Sequence, residues 1–160
     1  MEFRLATVVD LPLIGELAAR IWQRWYPPII GQKQVDYMLA RMYSQASLRQ
    51  QMQQEKQQFF ILTVDNQAVG YAAVSQKEAK SYFIHKFYID TNQHKKGLGA
   101  AFLAFLSQYF QPQSFILTVN RQNIAAINFY FKSGFRIAKI ANFDIGEGYF
   151  MEDFVMQKQF

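Results

Sequence analysis

The chain has 160 residues, of which 51% are hydrophobic and 17% aromatic, enough for one domain with a full hydrophobic core. It contains no cysteine, which excludes disulfides, zinc–thiolate sites and a cysteine nucleophile. Seventeen basic and twelve acidic residues give a net charge of +5, which suits an anionic ligand, a membrane surface or a nucleic acid. We expect a single cytoplasmic domain over residues 1–160, without a signal peptide or a membrane span.

The first third of the chain predicts one strand followed by helices. Residues 3–9 alternate like a strand, and Asp10 then caps a helix that carries Pro12 in its first turn. This helix ends before residues 26–28, where two prolines follow a tyrosine. Its apolar residues recur at helical spacing and form the stripe Ile14, Leu17, Ala18, Ile21, Trp22 and Trp25. Further helices are predicted over residues 32–43 and 47–56.

From residue 59 onward the hydrophobic period is that of strands. An antiparallel meander is predicted over residues 59–64, 69–75 and 80–90. A helix over residues 97–109, a strand over 115–119 and a helix that begins at Asn123 and ends at Gly134 follow. The first of these helices has Leu98, Phe102, Phe105 and Tyr109 on one apolar stripe. Two last strands, over 135–142 and 149–158, flank a loop with Gly146 and Gly148.

The clearest functional signal is the run that opens the helix at residue 97. Its residues are His94, Lys95, Lys96, Gly97, Leu98, Gly99 and Ala100. Two glycines at a helix start leave backbone N–H groups free to converge on a phosphate, and the helix dipole assists them. Glycine pairs also close ordinary strand-to-helix turns, so this run alone leaves both interpretations open.

A second motif lies in the helix that begins at Asn123. Asn123 can cap this helix, and Ala126 and Tyr130 follow at i+3 and i+7, so that the three residues share one side. A small residue beside a phenol suits a narrow cofactor channel.

Together the two motifs make the chain similar to the GNAT N-acetyltransferase superfamily. The signature of this family is Gln/Arg-x-x-Gly-x-Gly/Ala after a central strand, followed by Asn-x-x-Ala-x-x-x-Tyr-x-x-x-Gly-Phe. Residues 94–99 fill the first element and residues 123–135 the second, with His94 in place of the usual Gln or Arg. The resemblance covers nearly the whole chain. It implies an α/β (α+β) fold with a mixed, mostly antiparallel sheet of about seven strands, flanked by about four helices and splayed at the cofactor site.

The resemblance also implies acetyl-CoA as the acyl donor and direct attack by a primary amine. One main-chain N–H of the strand before the glycines is implied to lie near the thioester carbonyl, as an oxyanion donor. The implied donor-binding residues are Phe87, Tyr88, Ile89, His94, Lys95, Lys96, Gly97, Leu98, Gly99, Ala100, Asn123, Ala126, Phe129 and Tyr130. No metal is expected, because neither histidine has a plausible ligand spacing with carboxylates.

Two residues are predicted to transfer protons. By resemblance, Tyr130 lies close to the departing sulfur and acts as general acid; the alternative is a core tyrosine with a satisfied hydroxyl. An alkylamine with a pKa near 10.4 is about 3.4 units from its neutral form at pH 7, a penalty of roughly 4.6 kcal/mol. By resemblance, the base is often a glutamate on the central strand, acting through water; in the matching stretch, residues 82–89, His85 is the nearest titratable group with a suitable reference pKa, so we predict it to be the general base. A structural or substrate-contacting role for His85 stays open.

Acceptor recognition is predicted by resemblance alone. The acceptor is implied to enter beside the first two helices and the loop between the last two strands, where the residues are Trp22, Trp25, Tyr26, Asp144, Glu147 and Tyr149. Aromatic faces with carboxylates suit a cationic amine such as a polyamine. The tryptophans also fit the buried helix stripe, and core packing is favoured over substrate contact for either alone; the carboxylates are more often solvated loop charges.

The predicted partner is therefore a small-molecule amine, polyamine-like, or a peptide amine. A non-catalytic acyl-CoA sensor or interaction module is the alternative, against which Tyr130 argues. A nucleic-acid-binding domain rests only on the charge and scattered aromatics, so neither a nucleic acid nor a membrane is an expected partner. Exposed aromatic residues leave a homodimer open.

Overall fold

The computed structural model describes residues 1–90 and 97–160. This part of the chain holds seven strands and six α-helices. In chain order they are β1 (Glu2–Leu5), α1 (Leu11–Trp25), α2 (Pro27–Ile30), α3 (Gln32–Tyr43), α4 (Gln45–Gln53), β2 (Gln58–Val64), β3 (Gln67–Glu78), β4 (Ser81–Ile89), α5 (Leu98–Phe110), β5 (Ser114–Asn120), α6 (Ile124–Lys132), β6 (Arg136–Gly146) and β7 (Tyr149–Gln159).

The seven strands form one sheet in the order β1-β2-β3-β4-β5-β7-β6. The pairs β1–β2, β2–β3, β5–β7 and β6–β7 are antiparallel, and the pair β4–β5 is parallel. The predicted mixed, mostly antiparallel sheet of seven strands is confirmed. The chain divides into two compact units, one of Met1–Ser75 with Lys86–Tyr109 and one of Gln76–His85 with Phe110–Phe160.

In the first unit, helix α1 begins after Asp10, as the sequence predicts, and its apolar stripe is largely buried. The Asp10 carboxylate binds the Arg4 guanidinium, with Oδ1 2.7 Å from Nη2, and accepts a hydrogen bond from the Thr7 N–H at 2.8 Å. The predicted burial of Trp25 is wrong: its side chain is 45% exposed, because α1 ends there. The Arg24 guanidinium lies over the Trp25 ring, 5.2 Å from its centroid.

Between α1 and β2 the structure has three helices, whereas the sequence predicts two. Helix α3 has the predicted bounds, but the two prolines open a short additional helix, α2, instead of only ending α1. This position suits proline, because the first turn of a helix needs no N–H donor there. Ser44 caps α4 by accepting a hydrogen bond from the Ser47 N–H at 3.2 Å, so α4 begins earlier than predicted.

Strands β2 and β3 form a hairpin through a two-residue turn. Asp65 and Asn66 have φ values of 50° and 62°, the left-handed conformation that such tight turns require. Strand β3 also comes very close to β4, because a Cβ atom on Gly70 would lie 2.9 Å from the Tyr88 carbonyl oxygen. Only glycine permits this approach of the two backbones.

The predicted apolar stripe of α5 is buried only in part. Leu98 and Phe102 are buried, but the other buried residues are Leu103 and Leu106, whereas Tyr109 is 48% exposed. The Tyr109 ring still contacts Phe60 edge-on, with 5.0 Å between centroids. The apolar residues of α5 therefore cover more of its circumference than one narrow stripe.

In the second unit, α6 and the β6–β7 hairpin confirm the predicted order of elements. Gly134 has a φ of 94° and ends α6 as the predicted left-handed cap. The last two strands are longer than predicted and meet at a tight turn of Gly146, Glu147 and Gly148, all with positive φ. Among the described residues, no helix is long and apolar enough to cross a bilayer.

Candidate active site

The start of α5 exposes backbone donors in the first unit. Gly97 has a φ of 88°, and its carbonyl accepts the hydrogen bond of the Ala101 N–H at 2.9 Å. The N–H groups of Leu98, Gly99 and Ala100 therefore precede the first intrahelical hydrogen bond of α5, a position from which backbone N–H groups bind anions in proteins. A Cβ atom on Gly97 would meet no described atom within 4 Å. His94, Lys95 and Lys96 lie outside the described residues.

The end of β4 supplies the second predicted donor-binding segment. Phe87, Tyr88 and Ile89 are half-buried, and the Phe87 ring packs on Phe102 of α5 with 5.4 Å between centroids. The parallel ladder of β4 joins residues 81–84 to residues 114–117 of β5. Strand β4 continues beyond these pairs to Ile89.

Five aromatic residues of the first unit form what we call the aromatic cluster: Trp22, Tyr26, Tyr43, Tyr71 and Tyr88. Trp22 stacks on Tyr26 with 4.6 Å between centroids, and it lies 5.6 Å from both Tyr43 and Tyr88. Tyr71 lies 5.3 Å from Tyr88. Trp22, Tyr43 and Tyr71 are buried, whereas Tyr26 and Tyr88 are half-buried. The cluster thus has a buried floor and two accessible rings.

The floor of the aromatic cluster is polar as well as aromatic. The Tyr71 hydroxyl donates a hydrogen bond to the Tyr43 hydroxyl at 2.8 Å. Burial raises the pKa of both phenols well above the ordinary value, so both stay neutral. The Trp22 indole N–H is buried near these hydroxyls but has no hydrogen-bond partner among residues 1–90 and 97–160. Sequence patterns did not reveal Tyr43 or Tyr71 as part of the site, because each has the spacing of a core residue.

Lys86 is a buried cation beside this floor, and it too escaped prediction. Its ammonium group hydrogen-bonds to Gln51 Oε1 and lies over the rings of Tyr43 and Phe59, at 5.4 and 5.6 Å. Burial lowers the pKa of Lys86 to about 8, with the Glu55 carboxylate opposing this shift. The sequence did contain a signal for Lys86: it lies between Ile84 and Tyr88 at alternate positions of one strand, and therefore on the same face as these two residues.

Replacing Lys86 with methionine should raise stability at neutral pH and remove a pH dependence. Because the folded pKa of about 8 lies below the ordinary value of 10.5, the unfolded chain binds more protons above pH 8. Stability should therefore rise with pH from 8 toward 10 in the wild type. We expect Lys86→Met to be about 1–3 kcal/mol more stable at pH 7 and to lose this rise. Urea unfolding at pH 7, 8 and 9 measures both effects.

The matched control is Lys33→Met, which removes an exposed lysine from α3. It should leave the stability and its pH slope unchanged. Equal slopes for Lys86→Met and the wild type would contradict the assignment of a buried, charged Lys86.

The predicted base, His85, lies on the other face of β4. Side chains alternate along a strand, so His85 shares a face with Phe83 and Phe87. The rings of Phe83 and His85 are 4.7 Å apart. Lys86 and Tyr88 occupy the opposite face, the face of the aromatic cluster.

In the second unit, Asn123 and Tyr130 take the positions that the motif predicts. Asn123 Oδ1 accepts a hydrogen bond from the Ala126 N–H at 3.2 Å, which confirms the predicted helix cap. Tyr130 is buried on α6, and its ring lies 5.5 Å from Phe135 and 5.3 Å from Phe129.

Of the predicted acceptor residues in this unit, Asp144 departs most from expectation. It belongs to β6 and not to the loop, and its Oδ1 accepts a hydrogen bond from the Gly146 N–H at 2.8 Å. Its carboxylate therefore shapes the hairpin turn. Glu147 occupies the turn itself with a φ of 54°, and Tyr149 opens β7.

Asp153 is a buried carboxyl of the second unit that sequence patterns did not single out. It lies in β7 opposite Asn120 of β5. Burial raises the pKa of Asp153 to about 6, against a hydrogen bond from Thr118 and the charge of Arg121. Within β7 it occupies an ordinary strand position, so the sequence carried no signal for it.

A mostly antiparallel sheet with one parallel pair, a glycine-started helix after the central strand and a capped helix bearing a buried tyrosine together have the architecture of the GNAT fold. The family model of the acetyltransferase (GNAT) domain matches residues 28–143 of the sequence, and the chain belongs to this family. The predicted family and fold are confirmed, and residues 1–90 and 97–160 hold six α-helices where about four were expected.

Relatives of known name and structure cover the whole chain. A spermidine N(1)-acetyltransferase of Thermoplasma acidophilum is 22% identical over 167 residues, which covers 100% of this chain and 98% of the relative. The crystal structure of the PaiA N-acetyltransferase of the same organism, in complex with coenzyme A, has a TM-score of 0.79 at 22% identity and covers 99% of this chain and 98% of its own. A ribosomal-protein-alanine N-acetyltransferase of Brucella melitensis has a TM-score of 0.69 at 20% identity, with both chains fully covered.

Family membership makes the chain an acetyl-CoA-dependent N-acetyltransferase. The roles of single residues and the acceptor are not given by membership and are proposed below.

Proposed function

We propose that the chain acetylates a primary amine of a small polycationic molecule, such as a polyamine. The observation that carries this proposal is the aromatic cluster, in which the half-buried rings of Tyr26 and Tyr88 border a buried aromatic floor. Such ring faces attract alkylammonium groups, and the attraction grows when the cation loses water. The name of the Thermoplasma relative, a spermidine acetyltransferase, supports the same acceptor class.

The donor side of the proposal rests on main-chain groups. The N–H groups at the start of α5 would hold the diphosphate of acetyl-CoA, and close approach of that anion is compatible with a Gly97 whose Cβ position has no atom of the described residues within 4 Å. The backbone of Phe87, Tyr88 and Ile89 would hydrogen-bond the acyl arm, with one N–H directed at the thioester oxygen. Acetyl-CoA supplies the acetyl group as a reactive thioester.

The proton transfers are assigned to Tyr130 and His85. Tyr130 would protonate the departing thiolate; because a thiol has a reference pKa near 8.5, this help should be useful without being indispensable. His85 would accept the proton of the attacking amine, directly or through water. Its place on the β4 face of Phe83 and Phe87 favours a route through water over direct contact with the aromatic cluster.

The remaining predicted acceptor residues have unequal support. Trp22 lies in the cluster and would contribute its ring, while Trp25 is half-exposed at the end of α1 and could contact a longer acceptor. Glu147 and Tyr149, beside the β6–β7 turn, would contact a distal cation. Asp144 has less support, because its carboxylate already holds the turn.

A peptide N-terminus is the second candidate acceptor. The similarity to the ribosomal-protein-alanine N-acetyltransferase of Brucella melitensis, at a TM-score of 0.69 over the whole chain, favours it. The wide aromatic floor is less suited to an alanine side chain than to a polymethylene cation. We also propose a cytoplasmic enzyme, since a chain without cysteine suits a reducing compartment.

An amine panel should separate these acceptors. Coenzyme A release from acetyl-CoA is followed with a thiol reagent, which gives no background from a chain without cysteine. Spermidine, an aminoglycoside, free amino acids and an alanine-initiated peptide are compared by kcat/KM. We expect spermidine to exceed the peptide by at least about tenfold, which corresponds to roughly 1.4 kcal/mol of differential transition-state binding.

Two variants test whether the aromatic cluster causes this preference. Tyr26→Leu should raise the KM for spermidine, whereas Tyr37→Leu, which removes a half-buried tyrosine of α3 outside the cluster, should leave it unchanged. No turnover of spermidine would remove the polyamine proposal, and turnover of the peptide alone would establish the second candidate. Coenzyme A release that no amine accelerates would instead favour a sensor.

A further inference from the structure

An ion pair ties helix α1 to the end of β4. Arg20 Nε donates a hydrogen bond to Asp90 Oδ2 at 2.9 Å, and Arg20 Nη2 donates one to the Ala68 carbonyl at 3.2 Å. The Asp90 side chain is only 7% exposed, whereas that of Arg20 is 53% exposed. Arg20 thus makes one charged contact with the residue after β4 and one with the strand beside it.

The main chain at this point is held from the β3 side as well. The Asp90 N–H donates to the Val69 carbonyl at 2.7 Å, which extends the contact of β3 with β4 by one residue. At Gly70 the two backbones are so close that a Cβ would lie 2.9 Å from the Tyr88 carbonyl oxygen. The main chain of residues 88–90 is therefore held by β3 on one side. Arg20 of α1 holds the Asp90 carboxylate at the end of the same segment.

The same helix reaches β4 a second time through the aromatic cluster. Trp22, two residues after Arg20, lies 5.6 Å from the Tyr88 ring, and Tyr88 is two residues before Asp90. Residues 88 and 90 share one face of the strand, so α1 contacts this face through one aromatic and one ionic pair. The ionic pair is the directional one, because a guanidinium–carboxylate hydrogen bond has a defined geometry.

We propose that Arg20 and Asp90 are positioning residues for acetyl transfer: their ion pair fixes the main chain of Phe87–Ile89, which binds the acyl donor, and the distance of α1 from it. This inference rests on the proposed donor-binding role of that strand end. Neither residue touches the reacting atoms. A main-chain shift of about 1 Å at an oxyanion donor lowers the rate by roughly a hundredfold, so a small loosening has a measurable effect.

Arg20→Gln tests the proposal, with binding and kinetics measured separately. We expect the Kd for coenzyme A to rise about tenfold and kcat to fall about tenfold, since the donor and its oxyanion contact both depend on this backbone. Arg20→Lys keeps the charge but cannot span Asp90 and Ala68 together, so it should recover only part of the loss. Asp90→Asn, nearly isosteric, provides the same test if Arg20→Gln fails to fold.

The matched control is Arg4→Gln, which removes the ion pair between Arg4 of β1 and Asp10, the residue before α1. It should lower the melting temperature to a similar extent without changing the Kd for coenzyme A or kcat. Equal losses of binding in Arg4→Gln and Arg20→Gln would reduce the pair to a general stabilising role and overturn the proposal. An unchanged Kd and kcat in Arg20→Gln would also overturn it. A wild-type chain that binds no coenzyme A would refute the donor site itself, which distinguishes the two failures.

Discussion

Replacing Gly97 with valine should weaken coenzyme A binding by about a hundredfold or more. Gly97 has a φ of 88°, which a β-branched residue adopts only under strain. Either the backbone rotates and redirects the first N–H groups of α5, or the new side chain fills the space that the diphosphate requires. Hydrogen bonds to a charged group contribute about 1.5–3 kcal/mol each, so the loss of one or two accounts for this change. Isothermal titration calorimetry measures it.

Gly31 offers a closely matched control for this substitution. Its φ is 83°, and a Cβ there would likewise meet no described atom within 4 Å. Gly31→Val should therefore cause similar strain, about 1–3 kcal/mol of unfolding free energy, between α2 and α3. Coenzyme A binding that falls equally in both variants would mean that Gly97 acts through stability alone.

Replacing Tyr130 with phenylalanine should lower kcat by about ten- to a hundredfold while the KM for acetyl-CoA changes little. General acids contribute about a hundredfold or more, and the modest basicity of a thiolate places this case at the lower end. The phenylalanine keeps the packing of the ring against Phe135. Steady-state kinetics at saturating amine measure the loss, and an amine-dependent rate equal to that of the wild type would show Tyr130 to be a core tyrosine.

Two further variants test whether the loss of activity is specific to the Tyr130 hydroxyl and whether His85 is the base. Tyr109→Phe removes the hydroxyl of a half-exposed tyrosine on α5 and should not change kcat. His85→Ala should alter the acidic limb of the pH–rate profile, where the base loses its function by protonation, whereas Tyr130→Phe should lower the rate at all pH values below the pKa of a phenol. A profile that His85→Ala leaves unchanged would remove His85 as the base.

The fold could be predicted well from the sequence because its signals are local. Helix α3 has the predicted bounds, and Gly134 and Asn123 end and begin α6 as their residue types indicate. The errors occur where tertiary contacts decide. Trp25 continues the apolar spacing of α1 but reaches solvent because the helix ends there, and two prolines open α2 where the sequence predicted only an end to α1.

The site could be predicted only where a motif marks it. Gly97 and Asn123 belong to contiguous motifs: Asn123 caps α6 as predicted, and Gly97 has a left-handed backbone before α5. The aromatic cluster draws its members from α1, the junction between α1 and α2, α3, β3 and β4, so no sequence window contains them all. Lys86 and Asp153 show the same limit, because their shifted pKa values arise from burial by distant segments.

A crystal structure of the chain with coenzyme A tests the central claim most directly. The diphosphate should lie on the N–H groups of Leu98, Gly99 and Ala100, and the pantetheine arm should hydrogen-bond to the main chain of Phe87–Ile89. Coenzyme A bound elsewhere, or held there by side chains with these backbone groups unengaged, would contradict the account.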